Sequence, residues 1–230
     1  MCNTNLANPA PASSAPSTEP LPPALLAGIP DHPACAEALA LARRSLPASI
    51  FNHSVRVSLY VSRLISDDTS AAPFAAPPVA PYALFVACVL HDIGAADSLT
   101  GDDERRFEVA GADVAASLLK RHGVVDEVVR EVWLAIAMHT SQHVAEGAGG
   151  LVRALRLGIR ADFGLYTVGE AVVNEAESQL PRLDVERDLG DAVVRQALLL
   201  PSKAPACSWS RDLLKAHMAE PEWKGVNKAF

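Results

Sequence analysis

Tyr82-Ala83-Leu84-Phe85-Val86-Ala87-Cys88-Val89-Leu90-His91-Asp92-Ile93-Gly94 decides how this chain is read. An unbroken apolar run long enough for a buried helix ends in an imidazole beside a carboxylate, and Gly94 supplies a helix stop. Two metal-ligand types placed where a buried helix runs out are hard to account for by packing alone. Outward from this pair, His53, His139 and Asp162 also fall on apolar helical stripes. Several polar groups, each costly to bury alone, are thus aimed at one interior.

The surrounding periodicity is helical. Val57, Tyr60, Val61 and Leu64 follow Asn52-His53 at helix spacing and predict a helix that begins at His53. Leu84, Ala87, Cys88 and His91 form the next stripe. Phe107, Ala110, Gly111, Val114 and Leu118 predict a third helix, closed by Lys120, Arg121, His122 and Gly123, with His122 expected on the terminal carbonyls. Val125, Val128, Val132, Ile136 and His139 predict a fourth that ends near His139, leaving His143 in a loop ahead of Gly147, Gly149 and Gly150. The fifth stripe, Leu151, Leu155, Gly158 and Asp162, places a carboxylate where the pattern calls for an apolar residue. Helical patterns recur over 168–176, 188–200 and 210–218, punctuated by Pro181, Pro201 and Pro205. No alternating strand pattern and no repeat is found, so the expected fold class is all-α.

Length and composition set the organisation. Of 230 residues half are hydrophobic, enough for one substantial core. Residues 1–24, dominated by Ala, Pro, Ser and Asn, read as a disordered tail, which leaves 25–230 as one helical catalytic domain. The Pro-rich stretch 67–81 is a linker or a loop lying over a site. The net charge of -7, from 27 acidic and 20 basic residues with no long run of either sign, argues against nucleic acid or an anionic membrane as partner. A small-molecule substrate is expected instead, and self-association into a homo-oligomer stays open. Cys2, Cys35, Cys88 and Cys207 show no Cys-x-x-Cys spacing and read as reduced thiols. With no secretory leader and no apolar run of membrane-spanning length, a soluble cytoplasmic protein is expected.

A divalent metal doing hydrolytic work needs three or four nitrogen and oxygen ligands from rigid elements and an open position for water. His53, His91, Asp92 and Asp162 meet that need. Two imidazoles with two carboxylates suit zinc, iron or manganese better than copper or a thiolate-bound cluster. For Asp162 the competing explanation is neutralisation by Arg153, Arg156 or Arg160 on its own helix.

The order His, His-Asp, Asp along a helical chain resembles the HD superfamily of metal-dependent hydrolases. Phe51-Asn52-His53-Ser54-Val55-Arg56, Leu90-His91-Asp92-Ile93-Gly94, Arg106-Phe107-Glu108-Val109-Ala110-Gly111-Ala112 and Ala137-Met138-His139-Thr140-Ser141 are similar to its cyanamide hydratase branch. Pro181-Arg182-Leu183-Asp184 extends the likeness, which covers most of residues 35–217. The resemblance implies a helical bundle around one buried metal, usually zinc, held by His53, His91, Asp92 and Asp162. It also implies addition of water across a carbon–nitrogen triple bond, cyanamide giving urea. His139 is then the candidate to protonate the nitrogen, with Thr140 orienting it or a water. Arg56 would neutralise a site carboxylate or hold substrate, and Asn52 would cap its helix or bind a small polar ligand. Glu108 and Asp97 are read as solvated.

Two rival readings keep part of this picture. With His122 and His139 as additional ligands the fold would carry two metals for phosphohydrolysis or iron-dependent oxygenation, but only Arg56, Arg105 and Arg106 are on hand to meet a phosphate. A non-catalytic metal-binding module is the other, although a closed structural zinc site would favour cysteine ligands.

Overall fold

The structure, a computed structural model, describes residues 9, 15–66, 80–99 and 103–230. Among them it is all-α and contains no strand. The helices are α1 (Pro23–Ala27), α2 (Pro33–Ser45), α3 (Ala48–Ser66), α4 (Pro81–Leu90), α5 (Phe107–Arg121), α6 (Asp126–Met138), α7 (Val144–Ala148), α8 (Gly150–Asp162), α9 (Glu170–Gln179), α10 (Val185–Leu199) and α11 (Trp209–Ala219).

α4 is the axis of the bundle. It is apolar on every side, and a helix of that kind is stable only when surrounded; Ala83 through Leu90 are all buried. Pro81 opens it at a position where a missing N–H costs nothing. α2, α3 and α6 pack around it, α5 lies along α6, and α8 runs against α3 and α6. No described helix is long and apolar enough to cross a membrane.

Two glycines set how closely elements meet. Gly94 lies in the short 3-10 turn after α4, where a Cβ would fall 1.9 Å from the Phe107 carbonyl oxygen at the start of α5. On α8, a Cβ at Gly158 would come within 2.3 Å of Val61 Cγ2, so its absence lets α8 close on α3. These contacts fix the heights at which α4 and α8 end.

The structure differs from the sequence expectations at three places. α3 starts at Ala48, so His53 sits inside the helix rather than at its beginning; buried Ser49, Ile50 and Phe51 extend its apolar face backwards. His122 does not serve the terminal carbonyls with its ring, because Glu37 on α2 offers a charged partner, with Nε2 2.6 Å from Glu37 Oε2. The boundary drawn after residue 24 falls inside α1. Residues 15–24 lie on the body: Ala48 N donates to the Ala15 carbonyl at 3.0 Å, Arg43 Nε donates to the Ser17 carbonyl at 3.2 Å, and Leu21 is buried. Burial of Leu21 and these two hydrogen bonds seat the segment, and its prolines lower the entropy lost in doing so. The remainder of the proposed tail (1–8 and 10–14) and residues 67–79 of the Pro-rich stretch lie outside the described residues.

Candidate metal centre

Three helices end at one point. His91 is the first residue beyond α4, His139 the first beyond α6, and Asp162 the last of α8, while α3 passes beside them carrying His53. A helix C-terminus carries roughly half a negative charge, so three of them together favour a cation.

The side chains sharpen that preference. His53 Nε2 lies 3.2 Å from His91 Nε2, His91 Nε2 is 3.1 Å from Asp92 Oδ2, and His139 Nε2 is 3.4 Å from Asp92 Oδ1. All four residues are buried. One ligand atom from each of His53, His91 and Asp92 lies within 4.8 Å of the others. What each imidazole does with its second nitrogen settles its tautomer. Nδ1 of His91 is 2.7 Å from the Cys88 carbonyl and Nδ1 of His139 is 2.7 Å from the Ile136 carbonyl. Nδ1 of His53 is 2.7 Å from Asp162 Oδ2. A carbonyl or carboxylate oxygen can only accept, so in all three rings the proton sits on Nδ1 and the Nε2 lone pair faces inward. Both Asp92 oxygens are buried without a hydrogen-bond partner among the described residues. Three lone pairs and a carboxylate converge with no donor between them, an arrangement that is unfavourable until a cation enters.

The titration tendencies of His53 and Asp92 agree with this, whereas that of His91 runs the other way. Burial pushes the His53 pKa down, so the ring stays neutral. Burial opposes charge on Asp92 too, but His91 and His139 beside it hold its carboxyl well below the usual range. Burial likewise disfavours a charged His91, yet the adjacent Asp92 carboxylate outweighs it and raises the imidazole pKa.

Of the residues expected at the site, His53, His91, Asp92 and His139 come together at the floor of a cavity of about 340 Å3, with Thr140 on its wall. Asp162 is joined to them through His53 but stands behind it. Arg56 Nε donates to its Oδ1 at 2.6 Å and Nη2 donates to its Oδ2 at 2.7 Å, the bidentate geometry in which a guanidinium binds a carboxylate best. Burial would raise the Asp162 pKa; His53 and Arg56 hold it below the carboxylate range instead. The main neutralising cation is therefore Arg56 of α3, joined by Arg182, whose Nη1 is 3.5 Å from Asp162 Oδ2, whereas Arg156 and Arg160 on its own helix pair with Glu146. Arg56 and Asn52 are committed away from the cavity. Arg56 Nη1 also donates to the Leu180 and Pro181 carbonyls, and Asn52 Nδ2 donates to the Pro181 carbonyl at 3.0 Å.

Sequence reasoning missed Glu108. It is fully buried, and the Thr140 hydroxyl donates to its Oε1 at 2.6 Å while Arg106 pairs with the same carboxylate. Arg106 Nη2 also donates to Thr140 Oγ1 at 3.2 Å, so the turn after His139 is tied to the start of α5. Also missed were Arg156, whose Nη1 donates to the His139 carbonyl at 3.1 Å, and the aromatic wall of Phe163, Trp209 and Phe230. His122 is remote from the floor, held by Glu37.

Comparison with curated proteins finds no match. The HD domain profile, by contrast, matches residues 50–193, more than half of the chain and a span that contains His53, His91, Asp92, His139 and Asp162. HD domains bind divalent metals and are in general metal-dependent hydrolases, and the chain belongs to the HD domain family.

Proposed function

We propose that the protein is a metal-dependent hydratase that adds water to a small nitrile-type substrate, the parent reaction being cyanamide to urea. The observation that carries this reading is the charge of the cavity. Among the described residues its only cationic wall residue is Arg156, already paired with Glu146 at 2.9 Å, while Asp92 and Glu186 are acidic. A phosphate ester would meet no free guanidinium there, so an uncharged substrate fits better than a phosphorylated one. The flanks Phe51-Asn52-His53-Ser54 and His139-Thr140-Ser141, similar to cyanamide hydratases, support the reaction.

His53, His91 and Asp92 would hold the metal, zinc by the donor set, with iron or manganese as alternatives. A divalent ion there supplies Lewis acidity and lowers the pKa of bound water toward neutrality. The remaining work falls to the chain. Asp162 fixes the His53 tautomer, and Arg56 keeps Asp162 ionised. His139, whose Nε2 lone pair opens on the cavity, takes the proton released by water and returns it to the nitrile nitrogen. Thr140, its hydroxyl hydrogen committed to Glu108, orients His139 through the backbone. A two-metal site loses support because His122 is held by Glu37 at the end of α5 opposite to Phe107, the residue that meets His139.

Urea formation from cyanamide by the purified protein, with and without a chelator, tests the reading. Turnover that the chelator removes and zinc restores is expected; a metal-loaded protein that makes no urea would refute the named reaction. His139→Ala should lower turnover by roughly 100-fold or more, the contribution of a positioned acid–base group, while leaving metal content unchanged. Loss of the metal would instead make His139 a ligand.

A further inference from the structure

The cavity has two unlike halves. One is the polar set around Asp92, whereas the other is aromatic. Phe230 meets Phe163 at 5.1 Å between centroids with the rings at 78°, and Trp209 at 5.5 Å and 72°. Phe163 in turn lies 4.8 Å from the His53 ring, so the aromatic wall begins at the metal centre itself. Ile159, Leu165 and Leu189 complete this side.

Phe230 is held in place from several directions. Its N–H donates to the Asn227 carbonyl at 2.9 Å, and Trp209 Nε1 donates to the Ala229 carbonyl at 3.3 Å. Asn227 Nδ2 donates to the Leu213 carbonyl at 3.0 Å. Behind the ring, α10 presents Gly190, where even a Cβ would lie 3.4 Å from Phe230 Cδ2 and 3.6 Å from Asn227 Cβ. The volume matters as well. A cavity of about 340 Å3 falls in the range that buries a drug-sized ligand, roughly 300–1,000 Å3, far more than a molecule of three heavy atoms fills.

We propose that the natural substrate carries an uncharged, ring-sized apolar substituent that lies in the cavity against the wall formed by Phe163, Trp209 and Phe230, and that Phe230 is the residue selecting for it. This rests on the hydratase reading for the reacting end only. In that reading the substrate class is an aryl- or alkyl-substituted cyanamide. Water oxygen bonds to the nitrile carbon and both water protons end on the nitrile nitrogen, so R–NH–CN and water give R–NH–CO–NH2. The floor addresses the nitrile and the wall addresses R.

Two measurements on the full chain test this. For the zinc-loaded protein, kcat/KM for phenylcyanamide should exceed that for cyanamide by at least about tenfold, the lower end of what burying a phenyl-sized apolar surface yields. Phe230→Ala should erase most of that ratio. For the metal-free protein, benzonitrile should quench tryptophan fluorescence, with its Kd weakened about tenfold in Phe230→Ala and in Gly190→Leu, which displaces the ring from behind. Should Phe230→Ala lose its helical circular dichroism, Gly190→Leu carries both readouts. A wild-type ratio at or below one, or a benzonitrile Kd that neither variant moves, overturns the proposal. If neither cyanamide is hydrated while both variants weaken benzonitrile, the ring slot stands and the hydratase reading falls.

Discussion

Asp162 shows how one carboxylate acts at the centre without facing the cavity. Both its oxygens are taken, one by Arg56 and the other by Arg56 and His53 together. Hydrogen-bond partners behind metal-ligating histidines typically govern metal affinity by about 10–100-fold. Asp162→Asn should therefore weaken zinc binding by about that factor in a chelator competition. It also leaves Arg56 buried beside a neutral amide, and should destabilise the metal-free protein by about 3 kcal/mol in urea unfolding. Retention of wild-type zinc affinity would show that the His53 tautomer does not depend on it. The sequence exposed Asp162 because a carboxylate interrupts an apolar stripe, and His91-Asp92 because the pair ends an apolar run. It concealed Glu108, because a glutamate in a helix first turn is usually solvated; only the fold of the turn around Gly94 and the chain after His139 buries it.

At the level of elements, the centre depends on where helices stop. Gly94 allows the turn that carries Asp92 to lie against α5. Gly94→Ala would place a Cβ 1.9 Å from the Phe107 carbonyl oxygen, and backbone on both sides must shift. A loss of roughly 3 kcal/mol or more is expected, in the large-effect class of core overpacking, together with reduced metal content. Thermal unfolding and elemental analysis check both, and a melting temperature within a few degrees of wild type would contradict the close approach. Eight of the eleven described helices were legible from periodicity, α5 and α8 almost to the residue, whereas α1, α2 and α7 were not. The start of α3 was not, since Ser49 and Asn52 look like boundary residues until Asp188 and the Pro181 carbonyl are seen to receive them.

For the molecule as a whole, the converging acceptors make folding depend on what fills the centre. A chelator should lower the melting temperature, and zinc at about 100 times its Kd should restore about 2.7 kcal/mol. An unchanged melt would mean that the lone pairs are satisfied some other way. Buried neutral acids set a second, alkaline limit. Burial pushes the Cys35 thiol from 9.0 to about 11 and the Tyr60 hydroxyl from 10.0 to about 12. Between each pair of values the folded chain keeps a proton that the unfolded chain has lost, so stability is intact below the ordinary pKa and falls as pH rises through that window. Urea midpoints should drop between about pH 9 and about pH 12, and Tyr60→Phe should flatten the upper part of the drop. Because the Tyr60 hydroxyl has no hydrogen-bond partner among the described residues, that variant should also gain about 1 kcal/mol at neutral pH. The aromatic wall could not be read from sequence at this scale. Phe230 is separated from Phe163 by three helices, and nothing local in either segment announces the other.

The meeting of three helix ends makes helix length a ruler. An extra residue inserted into α4, α6 or α8 would advance its terminal residue by about 1.5 Å and swing it by about 100° about the axis, which turns His91, His139 or Asp162 away from its partners. Insertions and deletions in these three helices are thus ruled out by geometry. Any drift in the length of this chain has to be taken up in the segments between them.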